Sequence, residues 1–386
     1  MRVAFYAPMK APDDPTPSGD RMMARLLIQA LEYAGHTVQV ASKFSSREGA
    51  GDYTRQLRLR DVGVTTATRL IQRAETLRPE LRPAVWFTYH LYHKAPDWIG
   101  PGFCQAMGIP YIVAEASYAP KQAGGQWDMG HNAVREALEQ ASKVISINSA
   151  DTPCVLPLLD NPEMLVEIKP FLDPADYALA RSRHESARKV LARRFNIEDN
   201  VPWLVVVGMM RRGDKYASYR QLSEALAMLQ GVDFRLIIAG DGEARSEVMT
   251  AMRPLGAKVI PLGQVAPETI PVLYGASDLC VWPAVNEAYG MSLLEAQAAG
   301  LPVVSAKVGG VPDIVENGVT GILVEPGDMR AFAQGVFDLI ADPPRRQAMG
   351  SAALTKVAEQ HNIGHVAKRL DDILLGLTMI DGGMSL

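Results

Sequence analysis

A chain of 386 residues, 48% hydrophobic and 21% charged, has the composition of a soluble globular protein and the length for two cores rather than one. That composition excludes a disordered chain and a coiled coil, and a net charge of −4 gives nucleic acid no electrostatic foothold as the main partner. Three scattered cysteines, Cys104, Cys154 and Cys280, lie at no metal-ligand spacing and read as reduced thiols of a cytoplasmic protein. No stretch approaches the roughly 18 apolar residues of a membrane span, so any membrane contact, at the inner face of the membrane, is expected to be peripheral.

In chain order, Val3–Ala7 reads as a first strand, its apolar run too short for a signal peptide. Arg21–Ala34 has Met23, Leu26, Leu27, Ala30 and Leu31 at helical spacing, and Gly35-His36 ends it before the strand Thr37–Ala41. Arg47–Arg82 holds eight arginines against five acids, a solvated helical face or a contact for an anionic lipid or glycan. Val85–Thr88, Tyr111–Ala114 and Val144–Asn148 follow as strands, mostly separated by helical patterns. Lys169–Pro174 is a Pro-containing extended piece, and a polar helical stretch occupies 175–196. The alternation then restarts with strand Trp203–Val207, helix Tyr219–Leu229, strands Arg235–Ala239 and Lys258–Leu262, helix Ile270–Ala276, and strands Leu279–Trp282 and Val303–Ala306. A helix, Val366–Leu377, and a short Gly-containing tail close the chain.

This βαβ alternation predicts an α/β protein of two doubly wound, mostly parallel domains. The expected boundaries are a first domain over 1–170, a linker over 171–200, a second domain over 201–365, and a terminal helix and tail over 366–386. Ligands of such sheets bind beyond the carboxyl ends of the strands, so the cleft between the domains is the expected site.

The most informative segment is Asn286-Glu287-Ala288-Tyr289-Gly290-Met291-Ser292-Leu293-Leu294-Glu295. It follows an apolar strand and offers a carboxylate on a loop, a helix start near Gly290, and a second carboxylate about two turns further on. Carboxylates accept hydrogen bonds from sugar and ribose hydroxyls, and helix N-termini favour phosphate. Gly290 allows close backbone approach, and the small Ala288 and Ser292 leave room.

With Glu295–Val304, Gly309-Gly310-Val311-Pro312-Asp313-Ile314-Val315 and Gly318-Val319-Thr320-Gly321, this segment resembles glycosyltransferase family 4, whose GT-B fold pairs two Rossmann-like domains. The resemblance is dense over 278–328 and looser elsewhere, where Pro17-Ser18-Gly19, Gly35–Val38, Phe171-Leu172-Asp173, Ala239–Glu243 and Leu262-Gly263-Gln264-Val265 agree. It implies that Glu295 binds the ribose and Glu287 the transferred sugar. Ala288, Tyr289, Gly290, Met291 and Ser292 would offer backbone N–H groups to sugar and phosphate. Gly240 belongs to the strand-turn of the second domain, and Gln264 and Val265 would meet the base. The loop Val207–Lys215 resembles the family's Arg/Lys loop, which gives Lys215 and Arg211 to the leaving diphosphate with Arg212 as a competitor. It departs from the pattern at Met209 and Tyr216.

In the first domain, Gly19 would face the diphosphate or the acceptor. Asp20 stands where a second glycine is common and would turn to the acceptor; alternatively Ser18 or Asp20 simply caps a helix. His90 is expected near the sugar or acceptor, with His93 a weaker alternative. Ala116 stands where many family members have a histidine, so either Glu115 takes part in acceptor handling or the acceptor differs from the common types.

The chain lacks Asp-x-Asp and any metal-ligand cluster, so no cofactor and no metal are expected. The resulting expectation is a retaining, metal-independent hexosyltransferase moving a sugar from a nucleotide diphosphate sugar to a hydroxyl of a glycan, a lipid-linked molecule or a small molecule. A non-catalytic nucleotide-sugar-binding protein and a GT-B-fold epimerase remain alternatives.

Overall fold

The computed structural model describes residues 1–16, 18–149 and 151–381, the last three without their side chains. Pro17, Ala150 and the tail 382–386 therefore lie outside the described residues. The elements run β1 (Arg2–Tyr6), α1 (Gly19–Tyr33), β2 (Thr37–Ser42), α2 (Tyr53–Thr76), β3 (Val85–Tyr92), α3 (Gly100–Met107), β4 (Tyr111–Ser117), α4 (Asp128–Glu139), β5 (Lys143–Ser146), α5 (Thr152–Val155) and β6 (Leu165–Glu167). They continue with α6 (Ala175–Ser182), α7 (His184–Phe195), β7 (Trp203–Val207), α8 (Asp214–Ala227), β8 (Arg235–Ala239), α9 (Arg245–Ala251), β9 (Val259–Gly263), α10 (Thr269–Ala276), β10 (Leu279–Trp282) and α11 (Met291–Ala298). Then come β11 (Val303–Ala306), α12 (Val311–Ile314), β12 (Gly321–Val324), α13 (Met329–Ala341), α14 (Pro343–Gln360) and α15 (Ile363–Asp381).

Two compact units result, one of Met1–Lys169 with Ile363–Leu386, the other of Pro170–Asn362. The first sheet has the order β2-β1-β3-β4-β5-β6, and its strand pairs are parallel. Its strands are apolar on both faces because helices cover both: Phe5, Tyr6, Trp86, Phe87 and Ile112 are fully buried. The terminal helix α15 packs on α1 of this unit through buried Val366, Ala367, Leu370 and Leu374. Near their contact His36 Nε2 lies 3.3 Å from Asp371.

The second sheet has the order β12-β11-β10-β7-β8-β9, again parallel. The stretch expected as a linker over 171–200 contains α6 and α7, packed into this unit against α10. The physical reason is visible at three residues. Arg188 donates to Asp278 at 2.9 Å and to the Ala276 carbonyl at 3.0 Å, and lies over the Trp203 ring. His184 Nδ1 donates to the Gly275 carbonyl at 2.7 Å, and Gly275 leaves room for the backbone of Ala180. The start and end of the unit are tied by Leu172 N–H to the His361 carbonyl at 3.0 Å and by His361 Nδ1 to the Pro170 carbonyl at 2.6 Å. Among the described residues no helix is long and apolar enough to cross a membrane.

Candidate functional site

In each sheet the strand order reverses once, and the reversal opens a crevice at the carboxyl ends of two neighbouring strands. In the second unit these strands are β7 and β10. The loop after β7 turns at Gly213, whose φ of +77° suits glycine, and α8 begins at Asp214. The loop after β10 passes through Ala284 and Asn286, both left-handed without being glycine, at φ of +58° and +49°. Conformations of that kind persist only where surrounding contacts hold them, and here the contacts are explicit. Val285 N–H donates to Ser218 Oγ at 3.0 Å and Asn286 Nδ2 to Asp214 Oδ1 at 3.0 Å. Lys215 Nζ meets Glu287 Oε2 at 2.5 Å, and Trp282 Nε1 donates to the same oxygen at 3.3 Å. Sequence-distant Lys215 and Glu287 thus become an ion pair across the switch point.

The glycines of the Gly309-Gly310 motif explain how the Glu287 loop keeps its shape. A Cβ on Gly309 would overlap the Glu287 carbonyl oxygen, and one on Gly310 would stand 2.6 Å from that of Ala288. Gly310 N–H donates to the Ala288 carbonyl at 2.8 Å. The Gly318–Gly321 motif is tied in through buried Gln297 of α11. Its Nε2 donates to Thr320 Oγ1 at 2.8 Å, which also accepts the Glu316 N–H at 2.9 Å.

Gly290, at φ +77°, is the N-cap of α11, so Glu287 lies in the loop ahead of the cap. Ala288, Tyr289, Met291 and Ser292 surround this turn, and the first-turn N–H groups of a helix have no intrahelical acceptor. Glu295 sits on α11 beside Tyr177, Tyr274 and Cys280 rather than on a solvated face. Burial raises its carboxyl to about 7. Tyr177 comes from α6, inside the stretch read as a linker, and no sequence signal marks it.

Of the two candidate arginines, Arg212 is exposed and turned to Glu247 at 3.1 Å, while Arg211 is half-buried on the loop leading to α8. Met209, at the place of the family's arginine, is half-buried in the same loop. Gly240 is explained by packing: at its φ of +151°, a Cβ would overlap the Gly208 carbonyl oxygen. Gln264 is exposed and Val265 half-buried, just after β9.

In the first unit the reversal lies between β1 and β3. Ser18 caps α1 by accepting the Arg21 N–H at 3.2 Å, and among the described residues nothing crowds Gly19. Asp20 is thereby left to its own partner, the Nδ1–H of His90 at 2.9 Å. This pair bridges the switch point as Lys215 and Glu287 do in the other unit. His90 and Glu115 are both left-handed, at φ of +63° and +61°, and lie opposite each other between the registered pairs Tyr89–Ala114 and Leu91–Ala116. The paired kinks bring both side chains to the rim, while Ala116 is buried on β4. Asp151, after β5, accepts from Ser117 Oγ at 3.0 Å. Burial pulls the His90 imidazole down, but the hydrogen bond and charge of Asp20, then the charges of Glu115 and Asp151, outweigh it and raise it. Burial likewise pushes Asp20 up, and the bond to His90 reverses this and holds its carboxyl low. His93 stands apart, its ring between those of Tyr92 and Trp127 at 4.7 and 5.8 Å. Asp151 and Ser117 complete the rim; neither is prominent in the sequence, because only the strand order brings them to His90.

Residues 193–356 match the family model described as glycosyl transferases group 1. An uncharacterized glycosyltransferase of Methanocaldococcus jannaschii is 28% identical over 290 residues, 72% of this chain and 72% of that protein. The D-inositol 3-phosphate glycosyltransferase of Corynebacterium aurimucosum is 32% identical over 224 residues, 55% of this chain and 51% of that protein. Anabaena HepE, solved in complex with UDP-glucose, shares the fold with a TM-score of 0.71 at 19% identity over 98% of this chain and 100% of that one. The matched segment, less than half of the chain, holds Lys215, Glu287 and Glu295 and is similar to the glycosyl transferases group 1, and the chain is a glycosyltransferase of the GT-B fold.

Proposed function

We propose that the protein is a retaining, metal-independent hexosyltransferase that takes a nucleotide diphosphate sugar as donor and transfers its sugar to a hydroxyl of an acceptor held by the first unit. The Lys215–Glu287 pair at the switch point of the second sheet carries this reading, because it sets a cation and a sugar-binding carboxylate beside the N-termini of α8 and α11. That HepE was solved with UDP-glucose supports a uridine nucleotide among the donors to test first.

In this reading Glu295 accepts from the ribose hydroxyls, and Glu287 exchanges Lys215 for hydroxyls of the bound sugar. Lys215, released toward the diphosphate, joins Arg211 and the α8 N-terminus in stabilising the departing charge, the task a metal would otherwise perform. Gly240 shapes the backbone behind the nucleotide, and Gln264 and Val265 line the base. The bond from the anomeric carbon to the phosphate oxygen breaks as the acceptor oxygen bonds to the same face. The acceptor's proton passes to the leaving phosphate, so no protein carboxylate need act as nucleophile.

On the first unit, Asp20, His90 and Glu115 position the acceptor. The acceptor is a glycan, a lipid-linked molecule or a small molecule; the name of the Corynebacterium relative favours the last. The same reading keeps the protein in the cytoplasm and makes any membrane contact peripheral, through exposed Arg55, Arg58, Arg69 and Arg73 of α2. A thermal-shift panel of UDP-, GDP- and ADP-sugars tests the donor assignment: one of them raises the melting temperature saturably, and Glu295→Ala abolishes that rise. Saturable binding of none of them overturns it.

A further inference from the structure

The acceptor rim of the first unit carries an unusual charge balance. Four neighbouring strands, β1, β3, β4 and β5, each deliver one titratable side chain to it: Asp20, His90, Glu115 and Asp151. Three carboxylates face a single imidazole, and His90 feels all three. Lys10, whose charge also reaches Asp20, is itself paired with Asp14 at 3.6 Å.

Acidic residues alone would not mark a site, but two further features point to a ligand. The hydroxyl of Tyr89 is buried, the residue being 1% exposed, and has no hydrogen-bond partner among the described residues, although it lies in the field of Asp20 and Glu115. Its ring meets His90 edge-on at 5.8 Å. A buried hydroxyl without a partner costs stability, and a polar ligand seated on the rim can supply one. The half-buried ring of Tyr92 lies 5.7 Å from that of His90, and the charge of Arg47 reaches it. A carboxylate rim with an aromatic face suits an ammonium group, by charge-assisted hydrogen bonds and by cation–π attraction. The same rim repels a phosphate or a carboxylate.

We propose that the first unit selects an acceptor bearing a free amine, an amino sugar or an aminocyclitol, whose ammonium sits against Asp20 and Asp151 beside Tyr92, with Tyr89 bonding a neighbouring hydroxyl. This rests on the assignment of the acceptor to the first unit. The transferred sugar still goes to a hydroxyl; the amine supplies recognition.

The test titrates the full chain calorimetrically with matched ligands: D-glucosamine against D-glucose, streptamine against myo-inositol, and D-glucose 6-phosphate as the anionic arm. Each amine should bind about tenfold or more tighter than its neutral partner, and the phosphate more weakly than either. Asp20→Asn and Asp151→Asn should each erase most of that preference, and Tyr89→Phe, which keeps the ring, should weaken the amines a few-fold. Nucleotide-sugar binding measured on the same samples reports folding and the donor site separately. If no nucleotide sugar binds, the donor reading fails whatever the amines do. If neither amine binds, if neutral or anionic ligands bind as well, or if the preference survives Asp20→Asn, the amine assignment is wrong.

Discussion

Glu295 is a carboxyl group whose working state depends on pH near neutrality. Burial raises it to about 7 from an ordinary 4.5, so a large fraction is protonated at pH 6 and most is ionised at pH 8. An ionised carboxylate accepts from two ribose hydroxyls, whereas the acid keeps one oxygen as a donor. Affinity for the nucleotide should therefore rise between pH 6 and pH 8, and Glu295→Gln should bind weakly with a flat profile; calorimetry at the two pH values decides it. The same shift has a consequence for folding. Between 4.5 and about 7 the folded state holds a proton that the unfolded chain has released, so this group's contribution to stability falls as pH rises through that window. Glu295→Gln should remove that slope from the denaturation midpoint. Lys215 belongs to the same scale, and in the proposed function it acts on the other end of the donor. Lys215→Ala should lower transfer by about 10²–10³-fold while changing nucleotide affinity far less, because the lost charge matters most as the phosphate departs. Single-turnover rates set beside binding constants separate the two effects.

At the scale of elements, the loop between β10 and α11 is shaped by a second segment that never needs to touch a ligand. Gly309 stands against the Glu287 carbonyl oxygen with φ at +48°, a position that a side chain satisfies neither sterically nor conformationally. Gly309→Ala should cost about 1–3 kcal/mol and displace Glu287 from Lys215, lowering stability and transfer together. Loss of stability with full activity would show that the loop keeps its geometry without this packing. The case also marks what the sequence makes legible. The strands β7, β8, β10 and β11 are apolar runs bounded by turn residues and could be read at their observed bounds. The edge strands β6 and β12 could not, being three and four residues long and only partly buried. The motif glycines were visible as a family pattern, yet their task of holding the Glu287 carbonyl depends on a contact between separate loops. The left-handed conformations of His90, Glu115, Ala284 and Asn286 left no trace in residue type, because tertiary contacts rather than glycine impose them. Polar periodicity in 175–196 announced helices, but only the partners of His184 and Arg188 assign them to the second unit.

At the scale of the molecule, the chain builds two cores, and its last helix returns to complete the first. Leu370 of α15 is fully buried, and α15 packs on α1, the helix that carries Asp20 and the Ser18 cap. Large-to-small changes at such positions cost about 2–5 kcal/mol, through lost burial and the cavity left behind. A chain with two cores also departs from all-or-none unfolding, so calorimetry should resolve two transitions. Leu370→Ala should lower the transition of the first unit alone. A bound nucleotide sugar should raise the other, because a ligand stabilises the folded state of the unit that holds it. The two perturbations should then combine without interaction, because each acts on the core of its own unit. A nucleotide that shifted the transition lowered by Leu370→Ala would place donor binding on the first unit and overturn the division of labour argued from the two switch points.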